Sequence, residues 1–291
     1  MLIQENFIDI NTPTGKMRVH QFFPIEGGPF PAIILFSEIF QVTGPIQRTA
    51  RRLASQGYLV AAPEVYHEFE PAGCALAYDK EGTDKGNAYK IEKMVSAFDS
   101  DSRALIDYLK SDLVKPDGLK DKPLCNGRIG SLGICLGGHL SFRCSMNPEI
   151  LAGVCFYATD IHKRSLGRGM ADNTLDRIPE IKGEMLMIWG KQDPHIPQAG
   201  RDLIYKTMTD AEVNFTWHEF NASHAFIRDE GARYNSALAD ICFEMVFELF
   251  GRRLKMGGGE SVDGASSHGT GGHGSAGTAI KGAEAEPLKL G

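Results

Sequence analysis

The residues Gly133-Ile134-Cys135-Leu136-Gly137-Gly138 set a thiol between glycines in the pattern G-x-C-x-G. The segment before them, Arg128-Ile129-Gly130-Ser131-Leu132, reads as a strand, and a helix is expected to begin near Gly138. A residue carried on so tight a strand-to-helix turn is strained, and side chains at the flanking glycine positions would strike the neighbouring strand and helix. The turn lifts the sulfur above the sheet and sets it at a helix N-terminus, where the dipole favours a thiolate. The N–H of Leu136 follows at once and can stabilise an oxyanion. A thiol so placed attacks carbonyl carbon. The alternative is an ordinary glycine-rich turn around a buried cysteine.

A nucleophile of this kind needs a base and a group that orients the base. Asp193 lies in Gly190-Lys191-Gln192-Asp193-Pro194, directly after the apolar run 185–189, and His224 lies in Asn221-Ala222-Ser223-His224, after the run 214–220. Taken singly, the first reads equally as an Asp-Pro turn and the second as a surface-loop histidine. Together with Cys135 they follow the chain order nucleophile, acid, histidine, each just beyond a strand, which is the order of an α/β-hydrolase. His139, His195, His162 and His67 are weaker candidates for the base. Glu38, in Phe36-Ser37-Glu38-Ile39-Phe40, follows the first core strand. The N–H of Ile39 is expected to be the second oxyanion donor. Glu38 would face the turn, accept the S–H of Cys135 and keep it protonated until substrate arrives.

The elements that must hold these residues alternate along the chain. Buried-strand runs at 32–36, 58–62, 128–132, 153–157, 185–189 and 214–220 are separated by helical patterns at 46–56, 91–110, 138 onward, 198–208 and 231–253. Such alternation predicts an α/β fold: a mostly parallel central sheet flanked by helices on both faces. The segments 7–10 and 17–23 look like an antiparallel hairpin at its edge. Binding sites in such sheets lie beyond the carboxyl ends of the strands, where Cys135, Asp193 and His224 all fall. One domain is expected over 1–255. Residues 256–291, rich in Gly, Ser and His, are expected to be a disordered tail, since they carry too few large apolar residues to offset their ordering entropy.

The composition narrows the partners. The chain has 291 residues, 42% of them hydrophobic, and a net charge of −6, which argues against nucleic acid. No apolar run is long enough to span a bilayer and no secretory signal opens the chain, so no membrane partner and a cytoplasmic location are expected. The six cysteines form no C-x-x-C pair; Cys155 and Cys242 read as small buried apolar residues. Neither metal nor cofactor is called for, and the expected state is a monomer or weak homodimer.

Several segments together resemble the dienelactone hydrolase (carboxymethylenebutenolidase) family over roughly residues 30–250: Ser37-Glu38-Ile39-Phe40, Gln56-Gly57-Tyr58, Ala88-Tyr89-Lys90, the Cys135 turn, Gly190-Lys191-Gln192-Asp193 and Ser223-His224-Ala225-Phe226-Ile227-Arg228. The resemblance implies the α/β-hydrolase fold and hydrolysis of a small, anionic ester or lactone through a thioester. It implies a triad of Cys135, Asp193 and His224, with Glu38 the carboxylate that holds the resting thiol and is displaced on substrate binding. Ile39 and Leu136 match the oxyanion donors, Arg228 a cation for the substrate carboxylate, and Tyr89 a pocket tyrosine. Lys85 stands where well-known bacterial members carry a second arginine; it keeps the charge but not the planar fork. The stretch from Thr159 to Asp172 is longer than in those members and is expected to reshape the pocket. The rival expectations are a carboxylesterase or thioesterase for neutral substrates, and a small-molecule or redox sensor on the same fold.

Overall fold

The computed structural model describes residues 1–111, 123–168 and 172–255; the expected tail lies outside them. Eight strands form one sheet in the order β1-β2-β4-β3-β5-β6-β7-β8. β1 (Ile3–Thr12) and β2 (Gly15–Pro24) make the antiparallel hairpin, and β2 also runs antiparallel to β4 (Leu59–Pro63). The remaining neighbours are parallel: β3 (Phe30–Phe36), β5 (Cys125–Ile134), β6 (Ile150–Phe156), β7 (Glu184–Gly190) and β8 (Phe215–Phe220). Every residue of β3, β4 and β7 is buried, which explains their unbroken apolar character. Two apolar clusters, one on each face, hold the flanking helices in place.

The helices are α1 (Gly44–Ala54), α2 (Lys80–Glu92), α3 (Val95–Lys110), α4 (Leu136–Cys144), α5 (Gln198–Asp210) and α6 (Ser236–Phe250). Three differ from the sequence reading. The pattern 91–110 takes in the last two residues of one helix and the whole of the next, the two separated at Lys93-Met94, where both residues have extended backbone. The first, α2, has no apolar stripe to reveal it; the Asp79 carboxylate caps it by accepting from Gly82 N at 2.8 Å. Its glycines, unfavourable to a helix in isolation, permit close packing, since a Cβ at Gly86 would lie 2.3 Å from the Ile39 carbonyl oxygen. The helix that follows Cys135, α4, starts two residues earlier than expected, directly after that residue. And α6 starts at Ser236 rather than 231, leaving 228–235 as a loop over the carboxyl ends of the strands.

Candidate active site

Cys135 joins β5 to α4 with φ 61° and ψ −118°, a strained conformation for a residue with a side chain. The turn is a steric necessity of its glycines. A Cβ on Gly133 would sit 1.7 Å from the Gly137 carbonyl oxygen, and one on Gly137 would sit 2.2 Å from that of Phe36. Neighbouring strands fix it: Cys135 N donates to Phe156 O at 3.0 Å, and Cys135 O accepts from Thr159 N at 3.2 Å. Leu136 is the first residue of α4, so its N–H has no intrahelical acceptor. Ile39 lines the same cleft, on a loop held by Gln41, whose Oε1 accepts from Tyr66 N at 3.1 Å and whose Nε2 donates to Cys74 O at 3.2 Å.

Asp193 and His224 come from the loops after β7 and β8, which lie close because Gly190 leaves room: a Cβ there would be 2.4 Å from Ala222 O. His224 Nδ1 donates to Asp193 Oδ2 at 2.6 Å, and Asp193 Oδ1 accepts from His195 N at 2.8 Å. The bond to Asp193 occupies Nδ1 and leaves the opposite ring nitrogen available. The ring packs edge-on against Tyr157 and His195, with centroids 4.9 and 4.7 Å away. Burial pushes the His224 pKa down, but the adjoining Cys135 sulfur and the Asp193 carboxylate outweigh it and raise it to about 10.

Glu38 is buried, and its carboxylate is turned to Tyr78 and Arg228. Tyr78 OH donates to Oε2 at 3.0 Å and itself meets Thr43 Oγ1 at 2.7 Å, while an Arg228 nitrogen is 3.6 Å from Oε1. Burial raises the Glu38 pKa against the lowering influence of Arg228 and Tyr78. The Arg228 guanidinium also lies 4.3 Å from the centroid of the Tyr78 ring.

These groups open on a cleft of about 320 Å³. Cys135, His224, Glu38, Ile39 and Arg228 line it. Lys85 and Tyr89 do not, which corrects their expected place in the pocket. Lys85 points to solvent and pairs with Glu81 at 3.2 Å, and Tyr89 OH donates to Glu70 Oε1 at 2.7 Å with its ring stacked on Phe69. The helix supplies the reason: Thr83, Asn87 and Lys90, spaced i, i+4 and i+7, present one face of α2 to the cleft, and Lys85 and Tyr89 fall off that face. The basic side chains at the cleft are Lys90, Lys163, Arg228 and Arg233. Lys163 comes from the long stretch after β6 that was expected to reshape the pocket. Arg233 comes from the loop before α6, which the sequence reading had made helical.

The other histidines fall elsewhere, apart from His195, which borders the cleft. His139 is buried against Thr174 Oγ1 at 2.8 Å, and His162 packs on Gly200. His67, Glu68 and Asp101 are the one group among the described residues spaced to hold a metal. The Lys93 ammonium already occupies it, 2.7 Å from both Glu68 and Asp101. All six cysteines are free. No helix among the described residues is long and apolar enough to cross a membrane.

The parallel sheet with its antiparallel edge and flanking helices is the α/β-hydrolase fold. The model of the dienelactone hydrolase family matches residues 18–254, and the chain belongs to that family, hydrolases of ester or lactone bonds. It is 45% identical over 274 residues to a Saccharomyces cerevisiae protein named "Putative carboxymethylenebutenolidase", covering 90% of this chain and 97% of that one. It is 28% identical over 235 residues to the carboxymethylenebutenolidase of Pseudomonas putida, covering 77% and 89%. The crystal structure of a Klebsiella pneumoniae protein described as a "Putative Dienelactone Hydrolase" superimposes with a TM-score of 0.71 at 22% identity, covering 87% of this chain and 100% of that one.

Proposed function

We propose that Cys135, His224 and Asp193 act as a catalytic triad that hydrolyses a small anionic ester or lactone through a thioester. The observation that carries this reading is the 2.6 Å bond from His224 Nδ1 to Asp193. It leaves the other ring nitrogen for Cys135, on the wall of the same cleft. In the first step the Cys135 thiolate, paired with the protonated His224, attacks the carbonyl carbon. The N–H groups of Ile39 and Leu136 hold the oxyanion. His224 protonates the leaving oxygen, then takes a proton from water as that water attacks the thioester. Glu38 is engaged by Tyr78 and Arg228 and leaves the thiol to His224, which differs from the resting arrangement expected from the sequence, in which Glu38 would hold the S–H of Cys135.

Four basic side chains against the two carboxylates Glu38 and Asp160 favour an anionic substrate, with Arg228 the principal anchor. Its planar fork can bind a substrate carboxylate in two contacts while its face stays on Tyr78. The substrate is a diffusible small molecule, and the enzyme acts as a monomer or weak homodimer in the cytoplasm. The test is turnover of activated esters and lactones with and without a carboxylate, by wild type and Cys135→Ala, with the acylated cysteine sought by mass spectrometry. Cys135-dependent turnover that favours the carboxylated members is expected. Activity that survives Cys135→Ala would overturn the triad, and indifference to the carboxylate would move the reading to a general esterase.

A further inference from the structure

The wall of the cleft facing α2 is polar in a different way from the Arg228 side. Thr83, Asn87 and Lys90 project into it from one helical face, and Thr159, Asp160 and Lys163 meet them from the segment after β6. Lys90 Nζ donates to Asp160 Oδ2 at 2.6 Å, with both side chains largely buried, and Lys163 Nζ lies 3.5 Å from Oδ1 of the same carboxylate. Asp160 holds this position in a left-handed conformation, φ 67°, which Asp tolerates better than most residues. Beside it, Thr159 Oγ1 is buried without a hydrogen-bond partner among the described residues. A buried hydroxyl left unpaired is unfavourable, so this atom is open to a partner that water or the substrate can supply.

The pairing decides what this wall recognises. An unpaired lysine would attract a carboxylate. A lysine bound to an aspartate presents a donor beside an acceptor and adds no net charge for a second carboxylate, so the one charge left in excess is that of the half-exposed Lys163. The group that matches a donor–acceptor pair is a hydroxyl, which both donates and accepts. The Asn87 amide and the Thr83 and Thr159 hydroxyls have the same dual character. The wall is also tied to the chemistry, because Thr159 N donates to the carbonyl of Cys135.

We infer that the cleft selects a hydroxylated lactone or ester acid, its carboxylate toward Arg228 and its hydroxyl groups toward Thr83, Asn87, Lys90-Asp160 and Thr159. This rests on the hydrolase reading of the same cleft. The experiment compares three γ-lactones under pH-stat titration, with Cys135→Ala as the blank. They are D-glucaro-1,4-lactone (carboxylate and hydroxyls), 5-oxotetrahydrofuran-2-carboxylate (carboxylate alone) and isocitric lactone (a second carboxylate). The wild type is expected to favour the hydroxylated lactone over the plain one by about tenfold or more in kcat/KM. Asp160→Asn, which keeps the shape and tolerates the left-handed backbone, frees the charge of Lys90. It is expected to lower that ratio severalfold and to improve isocitric lactone relative to the other two. Asn87→Ala, on an exposed helical position, is expected to lower the ratio without threatening the fold. A purely structural role for Asp160 would depress all three lactones alike and leave the ratios in place. Equal turnover of hydroxylated and plain lactones by the wild type overturns the inference and leaves the hydrolase reading intact. So do ratios unmoved by both substitutions. Absence of Cys135-dependent turnover on these lactones and on simple activated esters overturns both.

Discussion

The Cys135 turn and the α2 wall of the cleft are built on opposite terms. At the turn, backbone meets backbone: the glycines at 133 and 137 are required because any Cβ would overlap a carbonyl oxygen, at 1.7 and 2.2 Å. At the wall, side chain meets side chain, and Lys90, Asp160 and Lys163 satisfy one another across two segments far apart in sequence. The first arrangement admits almost no change. The second can be altered one residue at a time, because each partner is replaceable by another polar group. On the proposed reading, reaction chemistry is held by the rigid part and substrate choice by the adjustable part, a division that lets one fold serve many substrates.

Removing the proposed nucleophile tests the rigid part most severely. Cys135→Ala is expected to lower kcat by about 10⁴-fold or more while the protein still folds. Substitution of the glycines should act on folding instead. Gly137→Ala is expected to cost more than about 4 kcal/mol and to yield little folded protein, since its Cβ would press on Phe36 O and Ser37 O. Gly251→Ala is the control: nothing lies within 4 Å of its Cβ, and denaturant unfolding should be nearly unchanged. Equal tolerance at the two positions would break the contrast.

The pairing of His224 with Cys135 links the turn to pH. A folded-state pKa raised to about 10, above the ordinary 6.5, means that the folded protein holds a proton the unfolded chain releases. The stability this contributes is fully present below pH 6.5 and is lost as the pH climbs to 10, a change on the order of a few kcal/mol. Denaturant melts across that window should show the decline. Cys135→Ala should flatten it, and the His224 ring proton signals should titrate at lower pH in that variant. A decline unaffected by Cys135→Ala would assign the shift to Asp193 alone.

The contrast also explains what could be read from the residues alone. G-x-C-x-G, Asp193 and His224 were legible because each follows an apolar strand run and because steric necessity leaves a glycine signature. The eight-stranded sheet was legible for the same reason in all its apolar strands. α2 was not, because Thr83, Asp84, Lys85, Gly86 and Asn87 carry no apolar period and the glycines oppose a helix. Its face toward the cleft is polar rather than apolar, so the usual signal is absent. The resemblance alone put Lys85 at the pocket; the helical phase of α2 shows that Lys90 faces the cleft and Lys85 does not. Nor could Asp160 be found, since its partner lies 70 residues away. Arg233 was hidden by extending α6 five residues too early, over a loop whose charged residues also fit a helix.

The smallest expected effect is therefore also informative. Arg228→Gln should raise KM for a carboxylated lactone about tenfold and change a neutral ester much less, because it removes the fork beside Glu38. Lys85→Ala should leave both KM values within about twofold, the scale of an exposed ion pair that touches no substrate. Lys85 makes its contact with Glu81 on the solvent side of α2, and Ala is the better helix former. The two substitutions remove equal charge, so long-range attraction of an anion would weaken KM in both. Only a cation on the cleft wall can give a large effect in one and none in the other. A Lys85→Ala enzyme with the same tenfold defect would mean that α2 turns its other face to the substrate when the cleft is filled, and the assignment of Thr83, Asn87 and Lys90 to the binding wall would fall with it.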